Sequence, residues 1–339
     1  MQGNALVGAK SRGTWTGLLL AILFALSTAC PNSSDKARSV DKTMQRVTSA
    51  KHVRLLCFLP WGNNGDDIGR LVPKEGAPEG PMSFDISPDG GLAVLDQVNQ
   101  KILFVDPSGR PQASIPLSRT TFQDMKLLDD GAVALLDRLD RREVLVLSRA
   151  GDVLGKTPLE GTFVPEGGAV TALRLQPDGI WVEVEHRFSV LIADRRGRPV
   201  AKRVQVSGRV LGDATARLWR DSPLRATLVT KHAKTPSAGE ASISLTYPEP
   251  IRLTGLVRLA NGGFAVSAAS LSASSKTPPM DRIYLDFIAP DGRTRVGRWT
   301  TLVPAMAEEV FQMLRPTPSG GVALLHLEEQ GVSIEEVSP

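Results

Sequence analysis

The sequence predicts an all-β fold, a six-bladed β-propeller of four-stranded antiparallel blades that occupies residues 53–339. Short turn sequences recur along this range, and each lies between an apolar run and an alternating one, which is the pattern of a β-hairpin. The turns are centred on Gly90, Gly131, Gly179, Gly212, Gly262 and Gly320. Their mean spacing of 46 residues, with a second turn inside most repeats, leaves room for the four strands of one blade.

The first 29 residues are typical of a secretory signal peptide. Lys10 and Arg12 form a basic region, an apolar run covers 18–26, and small residues follow. The apolar run of nine residues is too short to cross about 30 Å of hydrocarbon as a helix. Cys30, directly after the small residues, resembles the lipobox cysteine of bacterial lipoproteins, which implies that Cys30 is acylated and becomes the new N-terminus. Because Ser27 stands where that family prefers Leu, cleavage after Ala29 without a lipid and an uncleaved anchor stay open as alternatives.

Residues 30–52 are polar and have no sustained apolar period, so we expect a tether between the membrane and the domain. The chain has two cysteines, Cys30 and Cys57. If Cys30 carries lipid, Cys57 is alone and should be a buried core residue; if it does not, a disulfide between them is allowed in an oxidising compartment. These features predict an exported protein of the cell envelope, anchored by lipid to the outer membrane or to the periplasmic face of the inner membrane.

The first repeat has strands SFDIS, LAVLDQ, KILFVD and RPQASIPL between its turns. The segment GPMSFDISPDGGLAVLDQVNQKILFVDPSGR (80–110) resembles an NHL-type blade, whose pattern is an apolar strand, Asp-Gly, a second strand ending in Asp, a polar turn with Asn and a strand starting with a basic residue and Ile. The second repeat matches nearly as well, the fourth is barely visible, and the fifth carries a polar insertion at 271–279. The resemblance covers residues 53–339 and implies an architecture, because propellers host many activities.

The two ends of the domain predict how the ring closes. The sixth repeat has no sequence for a fourth strand, and an unassigned apolar run, 53–59, precedes the first repeat. We therefore expect this run to supply the outer strand of the last blade, which protects an otherwise open sheet edge.

One equivalent position follows each first turn by six residues, where the second strand should meet the loop to the third. It holds the candidate binding-face residues Asp96, Asp137, Glu185 and His326, with Ala268 in the fifth repeat. One interpretation is a turn residue whose side chain bonds nearby backbone N–H groups. The other is a ring of acids on one face that binds a cation or a basic partner.

Composition excludes several function classes. The chain has 40 Lys and Arg and 36 Asp and Glu, which gives a formal net charge of +4. This charge is too small to produce a strong electrostatic field that attracts nucleic acid. Aromatic residues make up 5% of the chain and there are four His, which leaves little material for base-stacking platforms or for a histidine-rich metal site. We therefore expect no nucleic-acid partner and no cofactor.

The long connections, 60–82, 160–168, 270–281 and 302–308, should all emerge on one face, which we expect to be the recognition surface. The favoured function is binding or scaffolding of protein partners in the envelope, without catalysis. The alternative is a metal-dependent lactonase-like hydrolase or lyase with its site on the propeller axis, because Glu79-Gly80-Pro81 resembles the calcium-ligating Glu-Gly-Pro of the gluconolactonase propellers. That family's inner-strand Asn and Asp have no match here. An enzyme should gather at least three polar or acidic side chains in an axial pocket; a scaffold should have a plain channel.

Overall fold

A computed structural model describes residues 52–232, 239–271 and 280–339. The predicted signal peptide (1–29), the predicted lipidation site Cys30, the tether up to residue 51 and residues 272–279 of the predicted insertion lie outside the described residues. The remainder confirms the predicted fold class, because it forms six four-stranded antiparallel sheets and a single 3-10 turn at Gly167–Ala169. Among the described residues, no helix has the length and apolar character needed to cross a membrane.

The strands run in chain order from blade one to blade six. Blade one has β2 to β5, at Ser83–Ile86, Leu92–Asp96, Lys101–Val105 and Pro111–Pro116. Blade two has β6 to β9, at Asp124–Leu127, Val133–Asp137, Glu143–Leu147 and Val153–Pro158. Blade three has β10 to β13, at Val170–Gln176, Gly179–Val184, Phe188–Ala193 and Pro199–Ser207. Blade four has β14 to β17, at Arg209–Leu211, Ala214–Ser222, Arg225–His232 and Ala241–Thr246. Blade five has β18 to β21, at Ile251–Arg258, Phe264–Ser270, Met280–Ile288 and Arg295–Pro304. Blade six has β22 to β24, at Leu314–Pro316, Val322–Leu327 and Gly331–Ser338, together with β1, His52–Pro60.

The ring closes as the sequence predicts. The order of the last sheet is β1-β24-β23-β22, so the N-terminal strand is the outer strand of blade six. Its antiparallel register runs from His52 opposite Ser338 to Pro60 opposite Gly331, with one irregularity after Leu55. Beyond that irregularity Cys57 and Leu59 are buried, and burial raises the pKa of the Cys57 thiol to about 12, which keeps it protonated and unreactive.

Apolar side chains pack between neighbouring blades rather than around the axis. Five clusters of buried apolar residues join blades one and two, two and three, four and five, five and six, and six and one; representative members are, in that order, Phe122, Ile192, Phe264, Phe287 and Phe84. In the described part of the chain, no such cluster joins blades three and four. Their inner contact is polar, since the Ser189 hydroxyl donates to the Gly208 carbonyl and accepts from the Val210 N–H, both at 3.0 Å.

A buried hub of charged side chains lies on the inner strands of blades six, one and two. Arg315 of β22 is 1% exposed. Its Nε donates to the Phe84 carbonyl and its terminal nitrogen to Asp124 Oδ1, both at 2.6 Å. Asp124 Oδ2 accepts the Leu173 N–H of β10 at 2.8 Å. The hub therefore connects blades six, one, two and three through one arginine and one carboxylate.

A second ion pair belongs to the same hub. Lys126 Nζ lies 2.9 Å from Asp85 Oδ1, and Asp85 Oδ2 accepts the Leu127 N–H at 2.8 Å. Burial and the neighbouring Arg315 charge lower the pKa of Lys126, while Asp85 opposes that shift. Two cations and two carboxylates thus compensate each other inside the ring, as buried charges require.

Candidate functional site

The strand order fixes which connections share a face. Each inner strand runs away from this face and each second strand returns to it, so the second-to-third and fourth-to-first connections emerge together. Among them are the long connections 61–82, 159–169 and 305–313. We call this the loop-rich face.

A cavity of about 400 Å³ opens on the loop-rich face, between the inner strands of blades three, four and five and the connection 309–313. We call it the arginine cavity, because four arginines line it: Arg138, Arg174, Arg209 and Arg252. Glu183, Glu309 and His186 also line it. Strands β10 and β14 supply Arg174 and Arg209, the residues placed deepest, whereas Arg252 lies at the rim with 57% of its side chain exposed.

At the base of the cavity two arginines share one carboxylate. Glu183 is 1% exposed; Arg174 donates to its Oε2 at 2.8 Å, and Arg209 Nε lies 3.2 Å from its Oε1. Burial by itself would raise the pKa of Glu183, but the Arg209 and Arg174 charges outweigh it and hold that pKa well below its usual range. The carboxylate is therefore ionised, and it neutralises one of the two guanidinium groups.

The second guanidinium charge has no anionic partner at the base. Burial lowers the pKa of Arg209, yet an arginine stays protonated in proteins. The Nε atoms of Arg138 and Arg174 are buried and have no hydrogen-bond partner among the described residues, whereas Arg209 Nε lies against Glu183. The lining has four arginines against two glutamates, and this excess of positive charge suits a negatively charged group.

Residues 309–313, the end of the connection 305–313, form one wall of the cavity. The Arg138 guanidinium stacks over Phe311 at 5.0 Å and donates to the Val170 carbonyl at 2.8 Å. Gln312 spans the ring, because its N–H donates to the Met82 carbonyl at 3.1 Å and its side chain to the Thr171 carbonyl at 3.2 Å. This segment therefore fixes both Arg138 and the mouth of the cavity.

A histidine stands at the entrance. His186 Nδ1 lies 2.5 Å from Glu183 Oε1, and 58% of the His186 side chain is exposed. Such a pair orients the imidazole ring at the entrance. The entrance thus has one polar group able to donate or accept a proton beside a positively charged interior.

The structure places the four predicted binding-face residues in four different blades, and no contact joins any two of them. Asp96 is buried and accepts the N–H groups of Gly69 and Asn99 at 3.0 and 3.1 Å; burial raises its pKa. Asp137 is also buried and accepts from Asp140, Arg141, Thr121 and Arg119. Both geometries are those of turn residues. Glu185 is exposed and His326 is buried. Binding at this set of residues stays a prediction.

Sequence reasoning missed Arg174, Glu183 and Arg209. A signal was present, because Arg174 interrupts the apolar inner strand VTALRLQ and Glu183 lies in the buried strand GIWVEV. Charged residues at buried strand positions require partners. The equivalent turn position in the repeat holds Glu185, which lies two residues beyond the buried acid Glu183.

The Glu-Gly-Pro segment on which the metal-dependent alternative depends lies before blade one. Glu79 is exposed and pairs through its backbone with Leu71 on the first long connection, away from the arginine cavity. Within residues 52–232, 239–271 and 280–339, no group of three or more His, Cys, Asp or Glu side chains is arranged to hold a metal ion.

Comparison with protein-family models and with curated proteins gives no match. Among solved structures, a member of the duf4221 family from Bacteroides vulgatus aligns with a TM-score of 0.52 and 9% identity, over 85% of this chain and 96% of that one. The chain is also similar to U3-55K (TM-score 0.47, 12% identity, 82% and 100% covered) and to virginiamycin B lyase from Staphylococcus aureus (0.41, 12%, 76% and 94%). At 9% identity, the similarity to the duf4221 structure supports the propeller fold and nothing further.

Proposed function

We propose that the protein is a binding module of the cell envelope, in which a propeller held to the membrane through Cys30 recognises an anionic group with its arginine cavity. The observation that carries this proposal is the pair Arg174 and Arg209 sharing the single carboxylate of Glu183. A carboxylate or phosphate would neutralise the remaining charge. A propeller is a rigid scaffold on which such a face can serve a protein partner.

Export and anchoring rest on the sequence of residues 1–52. The basic region, the apolar run and Cys30 support a signal peptide of 29 residues, a lipidated N-terminus and a tether of 30–52. The NHL-type pattern of 80–110 supports a propeller whose faces bind proteins. We place the partners in the envelope, and we propose neither a nucleic-acid partner nor a cofactor.

A second candidate function is a hydrolase or lyase that acts on an anionic substrate. Arg174, Glu183 and Arg209 converge in a cavity next to the axis, and His186 at its entrance is oriented by Glu183. This convergence of polar side chains supports the candidate. Turnover that is lost in His186→Ala while anion binding persists would favour the enzyme over the binding module.

Anion binding is tested by replacing Arg209 with methionine. The variant keeps the compensated pair of Arg174 and Glu183 but removes the surplus charge, so we expect a folded protein that binds anions at least ten times more weakly. Thermal unfolding with citrate or phosphate at constant ionic strength measures this, since a ligand at 100 times its Kd stabilises by about 2.7 kcal/mol.

Arg110→Met is the matched control, because Arg110 is an exposed arginine of blade one on the opposite face. We expect this variant to keep the full stabilisation by citrate or phosphate. Equal loss in both variants, or no stabilisation of the unaltered protein by any carboxylate or phosphate, would contradict the anion site.

The anchor is tested separately by Cys30→Ser in the full chain. We expect the unaltered protein in the membrane fraction, because several acyl chains on one cysteine anchor a protein stably. The variant should move almost completely to the soluble fraction or stay unprocessed, and mass spectrometry of the N-terminal peptide should find acyl chains on Cys30 in the unaltered protein alone. A mature peptide without lipid would show free secretion instead.

A further inference from the structure

Blades three and four are separated by a groove. Its volume is about 710 Å³, and its walls include Phe188, Gln205, Ser207, Arg217, Leu218 and Trp219. Trp219 is 42% exposed although it is the largest apolar side chain of its blade. The other five pairs of neighbouring blades are filled at this level by clusters of buried apolar residues. We call this cavity the inter-blade groove.

An open strand edge lies along the groove. The inner strand β14 has three residues, whereas the second strand β15 has nine. Their pairing ends at Arg209 opposite Ala216. Within the described residues, no strand pairs with β15 on its inner side beyond Ala216, although β16 pairs with it on the outer side as far as Ser222.

The backbone groups of this edge point into the open space. The Ala216 carbonyl oxygen faces Gly208 on the inner side, because a Cβ added to Gly208 would lie 2.8 Å from it. Hydrogen-bonding direction alternates along an antiparallel strand, so the N–H and C=O groups of Leu218 and Arg220 face the same side. Residues 217–221 thus span about 17 Å of strand edge, at roughly 3.4 Å per residue, with an irregularity in the pairing with β16 between Arg220 and Ser222.

Blades one and two use the corresponding edge. In blade one the Met82 N–H, directly before the inner strand, donates to the Leu95 carbonyl at 3.2 Å. In blade two the Gln123 N–H donates to the Leu136 carbonyl at 2.9 Å. In blade four the chain turns away to blade three at Gly208, whose N–H donates to the Arg187 carbonyl. Blade four therefore lacks inner-strand residues beside the part of β15 that follows Ala216.

The open edge adjoins the arginine cavity. His186 and Leu218 line both the arginine cavity and the inter-blade groove. A chain lying along β15 would therefore meet apolar and aromatic surface at Trp219 and Phe188 and positive charge at Arg209. An apolar groove followed by a positively charged cavity complements an extended peptide with alternating apolar side chains and an acidic group at one end.

We propose that an extended peptide segment of a partner protein adds as a strand to the inner edge of β15 at residues 217–221, completes blade four, and directs a carboxylate into the arginine cavity. The part of this inference that concerns the carboxylate rests on the proposed function; strand addition rests on the open edge and the groove alone. Main-chain hydrogen bonds supply affinity in this recognition mode, and the Trp219 and Arg209 sites supply selectivity.

The test uses a displayed library of random octapeptides with free C-termini, selected on the unaltered protein and counter-selected on Trp219→Ala. We expect enrichment of peptides with alternating apolar residues and a terminal or near-terminal acid. Fluorescence anisotropy of one selected peptide should show at least tenfold weaker binding when alternate backbone nitrogens are methylated in one register, and little change in the other register. Trp219→Ala should weaken binding at least tenfold, and Leu139→Ala, an exposed apolar residue of blade two, should not.

The outcomes separate the two ideas. No enrichment over Trp219→Ala, or equal affinity for both methylated registers, overturns strand addition whatever the citrate experiment shows. Replacing the peptide's acid with its amide should weaken binding to the unaltered protein but not to Arg209→Met. If the amide binds equally well to both proteins while one methylated register still fails, strand addition stands and the arginine cavity is not the acid's site.

Discussion

Replacing Arg315 with methionine is expected to lower the free energy of unfolding by about 3–5 kcal/mol, because removal of one partner leaves buried carboxylates uncompensated. Asp124 would lose its 2.6 Å ion pair at 0% exposure, and Asp85 would keep Lys126 alone. Globular proteins are stable by about 5–15 kcal/mol, so this loss is a large part of the total. Chemical denaturation followed by tryptophan fluorescence measures it.

Two further variants define the cause of that loss. Arg142→Met removes an arginine whose side chain is 55% exposed and whose partner Glu160 is 41% exposed, so it should cost less than about 1 kcal/mol. Adding Asp124→Asn to Arg315→Met should recover part of the stability, since the isolated charge is then gone; the coupling follows from the double-mutant cycle. A loss below about 1 kcal/mol in Arg315→Met would show that the hub does not hold the ring together.

The architecture was predictable because it depends on local patterns. The Gly residues of the first turns adopt positive φ angles, 91° at Gly90 and 81° at Gly131, which favour glycine in any hairpin of this kind. Alternation between them identifies strands without knowledge of the ring. Blade four illustrates the limit of this reasoning: its turn at Gly212 is recognisable, but the shortness of β14 depends on where the chain leaves blade three.

The hub and the arginine cavity could not be located in the same way. Arg315 and Asp124 lie 191 residues apart, and Arg209 and Glu183 belong to different blades, so no spacing rule connects them. The sequence shows that charged residues interrupt the inner strands, but their pairing depends on the rotation of each blade around the axis. Turn acids such as Asp96 are visible in the repeat, yet their bonds are local. A repeat pattern therefore reveals structural turn residues more readily than residues of the recognition site.

Substituting serine for Leu59 is expected to open the ring at a cost of about 4 kcal/mol. Leu59 of β1 is 0% exposed and belongs to the cluster between blades six and one, together with Phe84 and Ile334. Truncation of a buried leucine costs about 2–5 kcal/mol, and the new hydroxyl adds the cost of an unsatisfied polar group. Release of β1 would also expose the edge of β24, which promotes association between molecules.

Leu55→Ser is the matched control, because it makes the same substitution in the same strand at a residue that is 56% exposed. The irregularity between Leu55 and Cys57 places the two leucines on opposite sides of the sheet, so the control should change stability by less than about 0.5 kcal/mol. Hydrogen exchange should show loss of protection confined first to 52–60 and 331–338 in Leu59→Ser, and size-exclusion chromatography should detect oligomers. Because β1 is the strand that pairs the start of the domain with its end, equal behaviour of the two variants would mean that blade six is stable with three strands and that closure by β1 contributes little to the fold.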